Sequence, residues 1–329
     1  MTLSDGITPF YIHGPTAFVF AVTVIVVILV FLVVATSFLI ILPGIRGRGR
    51  IYSFCRVLVS LFIGVIIVVV SFTSDWEEGY VTVNTSYKAF TKETITARVG
   101  LHIGLSGINV TLKGLPVSQL NETINYNENF RWKMELSYDE DCYKGFERGL
   151  PNPILYISEK FTSRSPCLVN GQYRFSGHYT TAMMWVAFCA WIISNVLFSM
   201  STIVYGGYMS LVTSTFMLFG VISFGTTRNV PPCLIQFGSV TLKTHLSVSF
   251  WLTLATALLC FVLGVLVIVM DTFIPEKLRA FFILNGEEDH KDEMKHGIIN
   301  HYFTNDCGDT IILKETKDSF KGKDFVVYT

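Results

Sequence analysis

Five long runs of apolar residues constrain this chain more than any other feature of its sequence. They occupy residues 17–42, 57–74, 180–200, 203–225 and 247–270, and none contains a charged side chain. An α-helix needs about 20 apolar residues to cross the roughly 30 Å hydrocarbon core of a bilayer. Buried helices of soluble proteins seldom remain uncharged for this long. The runs therefore predict an α-helical membrane protein with five transmembrane helices.

Four arginines determine the predicted orientation. Arg46, Arg48, Arg50 and Arg56 lie in the segment 43–56 between the first two runs, and this segment contains no acidic residue. Short loops rich in Lys and Arg stay on the cytosolic side of a membrane. Arg56 lies about one turn into the second span and can extend its guanidinium back to the interface. We therefore expect a cytosolic turn here and an N-terminus outside.

With five spans, this orientation assigns a side to every other segment. Residues 1–16 form an outside N-terminal arm before an uncleaved first span, since they lack the Lys or Arg of a signal peptide. Residues 75–179 form an outside domain, and residues 226–246 form a second outside loop. Residues 271–329 form a cytosolic tail, which is polar, charged and expected to be largely disordered.

Three glycosylation acceptors agree with this orientation. The N-x-S/T sequence occurs at Asn84, Asn109 and Asn121, all within residues 75–179. Such an acceptor has to face the lumen to carry a glycan. None of the three lies in a segment that the arginines assign to the cytosol, so the two signals support the same topology.

The outside domain carries the pattern of a small antiparallel sheet with helices. Strands are predicted where β-branched residues partly alternate, at residues 80–90, 94–105 and 107–114. Short helices are predicted in polar segments richer in helix formers, at residues 120–130, 133–149 and 154–161. A sheet next to several membrane helices suggests, by analogy alone, a claudin-like β-rich domain.

Three of the seven cysteines fall in the outside segments, where the compartment is oxidising. Cys167 shortly precedes the third span and Cys233 shortly follows the fourth, so both lie near the membrane plane on the same side, and we predict that they form a disulfide. Three cysteines allow three pairings. Cys142 is then a free thiol, an intermolecular partner or a buried side chain.

The sequence predicts no catalytic, cofactor-binding or metal-binding residue. Ionisable residues within a membrane usually have a function, and the spans contain none apart from Arg56 at a border. Asn195 is the one strongly polar residue in a span, and it fits an interhelical hydrogen bond or a contact with a foreign helix. The net charge is zero, which gives no indication of a nucleic-acid partner.

Several motifs closely resemble the dual oxidase maturation factors. They are LPGIRG (42–47), SLFIG (60–64), NTSYKAF (84–90), QLNETINYNE (119–128), GLPNPILYISEKFTSRSPC (149–167), GHYTTAMMWVAF (177–188) and VYGGYM (204–209). The resemblance is colinear from the N-terminus to about residue 283. The MTL start and SFLIILPGIRG (37–47) are closer to the second paralogue of the family. The tail does not share the resemblance, and Cys142 is an addition to the family pattern.

The resemblance implies a five-span protein with its N-terminus outside and a claudin-like outside domain. It implies a heteromeric complex with a dual oxidase, the membrane NADPH oxidase that releases hydrogen peroxide. The factor would let the oxidase leave the endoplasmic reticulum, accompany it to the plasma membrane and remain as a subunit. It would perform no redox chemistry, since haem, flavin and NADPH belong to the oxidase. Asn84, Asn109 and Asn121 match the family's glycan acceptors, and Cys167 and Cys233 match its outside cysteines.

Contacts with the oxidase are expected both in the bilayer and outside it. We predict outside contacts from Tyr87, Phe90 and the N-terminal arm, and a weaker candidate contact at Asn195 in the membrane. The alternative function is that of a stand-alone claudin-like adhesion or junction protein. Claudins have four spans and a cytosolic N-terminus, so the uncharged first run argues against this alternative.

Overall fold

The structure is a computed structural model that describes residues 22–41, 49–88, 93–120, 122–132, 137–162, 165, 169–200, 203–226 and 235–273. The helices in these ranges are α1 (Val22–Ile41), α2 (Gly49–Phe72), α3 (Ser137–Glu147), α4 (Asn152–Lys160), α5 (Val169–Ser199), α6 (Ile203–Thr226) and α7 (Val248–Phe273). The strands are β1 (Glu77–Ser86), β2 (Thr94–Ile103), β3 (Gly107–Gln119), β4 (Glu122–Arg131), β5 (Ile235–Phe237), β6 (Val240–Leu242) and β7 (His245–Leu246).

Four helices in the described part of the chain are long and apolar enough to cross a membrane: α2, α5, α6 and α7. Helix α1 is also apolar, but its stretch Val24–Ile40 is shorter than the other four. The chain is therefore a multi-pass membrane protein by length and composition, and the fifth span stays a prediction.

Two membrane helices begin well before their apolar runs. Helix α2 begins at Gly49, inside the segment expected to be a turn, rather than at residue 57, and α5 begins at Val169 rather than at residue 180. Hydropathy marks where a helix can contact lipid, whereas backbone hydrogen bonding continues into polar residues. The first turns of α5 therefore lie in residues that the sequence assigned to the predicted outside domain.

Small side chains on α6 allow close packing within this chain. Gly206 lies against Phe198 of α5, and Gly207 lies against Val267 of α7. Hydroxyl groups join the same helices, because Ser194 Oγ donates to the Gly206 carbonyl at 2.8 Å and Ser214 Oγ donates to the Ala257 carbonyl at 2.7 Å. Small residues and hydroxyl bonds of this kind hold membrane helices together.

Strands β4, β3, β2, β1 and β7 form one antiparallel sheet in that spatial order. Strand β2 shows the alternation clearly: its inward-facing residues Ile95, Val99 and Leu101 are buried, and its outward-facing residues are polar apart from Gly100. The buried face packs on α3 and α4 and on the ends of the membrane helices, so sheet and bundle share one continuous core. The predicted antiparallel sheet is present.

The helix predicted at residues 120–130 is wrong. Residues 122–131 form strand β4, which pairs with β3 along most of its length. Ile124 and Phe130 alternate inward and are buried, whereas Asn125 and Asn129 face the other side. The partner strand and the sheet core override the weak strand propensity of the asparagines. The other two predicted helices correspond to α3 and α4.

Trp76 connects the bundle to the sheet. It follows α2 and is fully buried, with its ring 5.0 Å from that of Phe224 and 6.4 Å from that of Phe250. Its indole N–H donates to the Val70 carbonyl at 3.0 Å. Its backbone carbonyl accepts from the Ser247 N–H at 3.0 Å, just before α7. The end of α2 and the start of α7 are therefore held together at Trp76.

Candidate functional site

The two described glycosylation acceptors lie on the same face of the sheet. Asn84 is exposed on β1 and pairs with Thr96 on β2, and Asn109 on β3 pairs with His102 on β2. Directly opposed residues share a face, and Thr96 and His102 are an even number of residues apart, so both acceptors point away from the buried face. Asn121, the third acceptor, lies outside the described residues.

A chain of polar side chains occupies the membrane-side end of this outward face. The Tyr80 hydroxyl lies 3.0 Å from His102 Nε2, and His102 Nδ1 lies 3.1 Å from Asp75 Oδ1. The Arg98 guanidinium lies over the Tyr80 ring at 4.4 Å from its centre. Burial, with Glu78 nearby, raises the pKa of Tyr80 above its ordinary value. The phenol therefore stays protonated at neutral pH and can only act as a neutral hydrogen-bonding group.

No pattern in the sequence predicts this polar cluster, because its members come together through strand register. His102 faces Glu78 across β1 and β2 although the two are far apart in sequence. His245, on the short strand β7, adds a contact of 3.4 Å from its Nε2 to Glu78 Oε1. The cluster therefore places both charge signs and an aromatic ring on the outward face of the sheet.

Glu77, the first residue of β1, is buried and connects three elements. Its Oε2 accepts from the Tyr173 hydroxyl of α5 at 2.8 Å, and its Oε1 accepts from the Thr244 hydroxyl at 2.6 Å. A buried carboxyl group is tolerated when its oxygens are hydrogen-bonded. We assign it a structural role, because both partners belong to the framework that positions the sheet.

Tyr87, predicted to contact a partner, is a core residue instead, and that prediction is wrong. Its side chain is 1% exposed, and its hydroxyl lies 3.0 Å from Glu122 Oε2 and 2.8 Å from the Tyr126 hydroxyl. A side chain with this burial has no surface to offer another protein. Phe90 and the N-terminal arm lie outside the described residues, so their contacts stay predictions.

Cys142 is a buried thiol on α3. Its Sγ lies 3.3 Å from Ser158 Oγ on α4, and burial raises its pKa above the ordinary value. The reactive species of cysteine is the thiolate, so this thiol is expected to be inert at neutral pH. Of the three open possibilities, the structure supports the buried side chain. Cys167 and Cys233 lie outside the described residues, and their disulfide stays a prediction.

The two predicted polar residues of the spans face the interior of the bundle. Asn195 Oδ1 on α5 accepts a short hydrogen bond from Ser60 Oγ on α2, and its Nδ2 donates to the Trp191 carbonyl at 2.8 Å. Arg56 is half-buried on α2 and donates to Ser199 Oγ at 3.3 Å. Asn195 thus makes the expected interhelical hydrogen bond, and its contact with a foreign helix stays a prediction.

Of the other three arginines in residues 43–56, the structure describes only the backbone of Arg50. Arg46 and Arg48 lie outside the described residues. Arg50 belongs to α2 by its backbone. The proposed role of these residues in orientation therefore rests on their charge and position in the sequence.

The sequence matches the family profile described as "Dual oxidase maturation factor" over residues 10–286. This chain belongs to that family. It is similar to Dual oxidase maturation factor 2 of Mus musculus, with 50% identity over 288 residues, 88% of this chain and 90% of the relative. It is also similar to Dual oxidase maturation factor 1 of Mus musculus, with 48% identity over 281 residues, 85% of this chain and 82% of the relative.

Dual oxidase maturation factor 2 of Homo sapiens is 50% identical over 280 residues, which cover 85% of this chain and 88% of the relative. The relatives named maturation factor 1 and maturation factor 2 are therefore almost equally similar to this chain, and its assignment to the second paralogue stays a prediction. The matched region includes every described helix and strand, whereas the tail after residue 286 lies beyond the family profile. The comparisons give no support to the alternative of a stand-alone adhesion protein.

Proposed function

We propose that this chain is a maturation factor and subunit of a dual oxidase. It enables the oxidase to leave the endoplasmic reticulum, reach the plasma membrane and produce hydrogen peroxide. The observation that carries the proposal is membership of the dual oxidase maturation factor family, through a match over residues 10–286. The chain itself performs no catalysis, and its activity is to bind and cover surfaces of the oxidase.

Helix α1 presents an uncovered apolar surface. It packs against α2, and most of its side chains are exposed, including Leu29, Val33 and Ile40. In a bilayer such a face contacts lipid or another helix. An α1 that spans the membrane as a fifth helix supplies an apolar surface that a helix of the oxidase can occupy.

The proposed topology has five spans, the N-terminus outside and the tail in the cytosol. The arginines of residues 43–56 supply the orientation through the positive-inside rule. The outside part then includes the sheet, its polar cluster and the acceptors Asn84, Asn109 and Asn121. Glycans on the outward face of the sheet leave its edges and the N-terminal arm as surfaces for the oxidase.

A disulfide between Cys167 and Cys233 completes the proposed outside domain. Cys167 follows α4 within a few residues, and Cys233 shortly precedes β5. The ring of Tyr156 on α4 lies 5.2 Å from that of Phe237 on β5. This contact supports the pairing, because elements close to the two cysteines are neighbours in space.

The direct test is reconstitution in cells that lack maturation factors and express a dual oxidase. Adding this chain should convert the oxidase to mature glycans, raise its surface biotinylation and start peroxide release. Deletion of residues 2–12 should weaken surface delivery. The matched control is deletion of residues 287–329, which lie beyond the family profile and should leave delivery unchanged.

Retention of the oxidase in the endoplasmic reticulum despite good expression of the chain would contradict the proposal. Mild-detergent purification of the chain should also recover a large haemoprotein in fixed ratio. Clustering of cells that express this chain without any oxidase would instead favour the adhesion function.

A further inference from the structure

We propose that the membrane bundle binds one glycerophospholipid in a cavity at the end opposite the sheet. The cavity has a volume of about 370 Å³ and lies between α2, α5, α6 and α7. Ligand sites in proteins typically have volumes of about 300–1,000 Å³ and are mostly apolar with a few placed polar groups. An acyl chain occupies the cavity, and the lipid phosphate lies at Arg56. The inference does not depend on the role toward the oxidase.

The walls of the cavity present apolar surface although several polar residues line it. Ile63, Leu263 and Val267 contribute aliphatic side chains. The hydroxyl protons of the lining serines are directed to acceptors within the protein: Ser194 Oγ donates to the Gly206 carbonyl, Ser210 Oγ donates to the Cys260 carbonyl at 3.1 Å, and Ser60 Oγ donates to Asn195 Oδ1. Hydroxyl groups engaged in this way leave their carbon atoms to face the cavity. The interior therefore suits a hydrocarbon chain better than a polar metabolite.

Arg56 provides the one cationic group among the described residues that line the cavity. It is half-buried, and its guanidinium donates to Ser199 Oγ at the end of α5. Guanidinium groups bind phosphate through paired, charge-assisted hydrogen bonds. The site thus combines a cation at its mouth with an apolar interior, which is complementary to a phospholipid.

The depth of the site fits the same ligand. Along α2, Arg56 lies about 24 Å from Phe72 at 1.5 Å per residue, within a hydrocarbon core of about 30 Å. Its long side chain can therefore reach the headgroup level of the far leaflet. Ile63 lies about 10 Å closer to the sheet along the same helix. A foreign helix would fill the apolar interior but would bring no anion to the arginine.

The test uses the purified full chain in nanodiscs with a phosphatidylserine that carries a photoreactive diazirine on one acyl chain. The comparison lipid is a diacylglycerol with the same acyl chains and no phosphate. After illumination, peptide mapping should find the phosphatidylserine on residues that line the cavity, such as Trp191 and Cys260. The diacylglycerol should label them about tenfold less, because it lacks the phosphate that the guanidinium binds.

Two pairs of variants separate the cation from the cavity. Arg56→Gln should reduce the phosphatidylserine label to the level of the diacylglycerol, and Arg56→Lys should retain part of it. Val59→Trp places a large ring in the cavity and should remove the label, whereas Leu58→Trp changes the adjacent, exposed position and should not. If Val59→Trp fails to fold, the arginine pair decides.

Three outcomes would overturn the proposal. The first is equal labelling by the two lipids, and the second is labelling that none of the variants changes. The third is complete loss of the wild-type label when a dual oxidase is co-purified, which would assign the cavity to a helix of the partner.

Discussion

At the residue scale, the contact between the sheet and the bundle depends on a missing side chain. Gly177 on α5 lies so close to the loop after β2 that an added Cβ would overlap the Leu105 carbonyl oxygen. A backbone oxygen cannot rotate away as a flexible side chain can. Gly171, in the same helix, has no neighbouring atom within 4 Å of such a Cβ. The two glycines therefore form a matched pair, because only Gly177 allows the helix to lie close to the Leu105 backbone.

We expect Gly177→Ala to lower the melting temperature of the detergent-solubilised chain and to impair its exit from the endoplasmic reticulum. Gly171→Ala should leave the melting temperature unchanged or raise it, because alanine is favoured over glycine within a helix by about 1 kcal/mol. Thermal size-exclusion measurements on the two variants check this. Equal loss of stability in both would show that the contact with Leu105 does not matter.

Buried phenols predict that the outside domain loses stability at alkaline pH. Burial raises the pKa of Tyr87 and of Tyr138 above the ordinary value near 10. Above pH 10 the unfolded chain therefore releases protons that the folded chain retains. The folded state binds more protons there, so the free energy of unfolding falls as pH rises, and the contribution is fully present below pH 10.

Melting temperatures between pH 8 and 11 should therefore fall steeply above pH 10. Tyr87→Phe should flatten this fall, while lowering stability at neutral pH by about 1 kcal/mol through the lost hydrogen bonds. Tyr143→Phe, at an exposed position on α3, is the control and should keep the wild-type slope. An unchanged slope in Tyr87→Phe would contradict the explanation.

At the element scale, strand β7 and the segment before it connect α7 to the sheet. β7 pairs with β1 through only two residue pairs, at Glu77 and Glu78. The hydroxyl of Thr244 strengthens this short edge by donating to the buried Glu77 carboxyl group. So short a strand has little pairing energy of its own, and the hydrogen bond to the carboxyl group adds to the backbone bond from the Ser247 N–H to the Trp76 carbonyl.

Thr244→Val should therefore destabilise the chain by about 1.5–3 kcal/mol, since it leaves a carboxyl oxygen buried without this donor. Thr241→Val, on the half-buried strand β6 nearby, should have a much smaller effect. Hydrogen exchange is the measurement of choice, because loss of the attachment should increase exchange in the segment 243–247 before it affects β2. Protection equal to that of the wild-type chain would count against this role of Thr244.

At the scale of the whole molecule, the orientation depends on the basic segment between α1 and α2. Replacing Arg46, Arg48 and Arg50 by glutamate removes the positive charge that retains this segment in the cytosol. We expect a population of chains in which residues 75–179 stay on the cytosolic side. Such chains lack glycans, so enzymatic deglycosylation should no longer change their electrophoretic mobility.

The control replaces three basic residues of the outside domain, Lys113, Arg131 and Lys144, by glutamate. Charges in a long translocated segment contribute little to orientation, so glycosylation should persist in this variant. Full glycosylation of the arginine variant would show that another signal orients the chain.

The sequence alone determined that this is a membrane protein with a sheet domain, because apolar runs and alternation are local properties; that the sheet lies outside stays a prediction. It located α2, α5, α6 and α7, most of β1 to β3, and the interhelical role open to Asn195. Its motifs also resemble the dual oxidase maturation factors, and the match of the family profile to residues 10–286 confirms this resemblance. Each of these signals lies within one segment of the chain and needs no knowledge of its neighbours.

Only the tertiary structure decided which side chains meet. Residues 122–131 form a strand because they pair with β3 and because Ile124 and Phe130 are buried in the core. Tyr87 was expected at the surface but is buried. The cluster of Tyr80, His102 and Asp75 joins residues that are far apart in sequence. The cavity beside Arg56 is likewise lined by side chains from four helices. Such contacts join residues distant in sequence, and their energies depend on packing that no single segment contains.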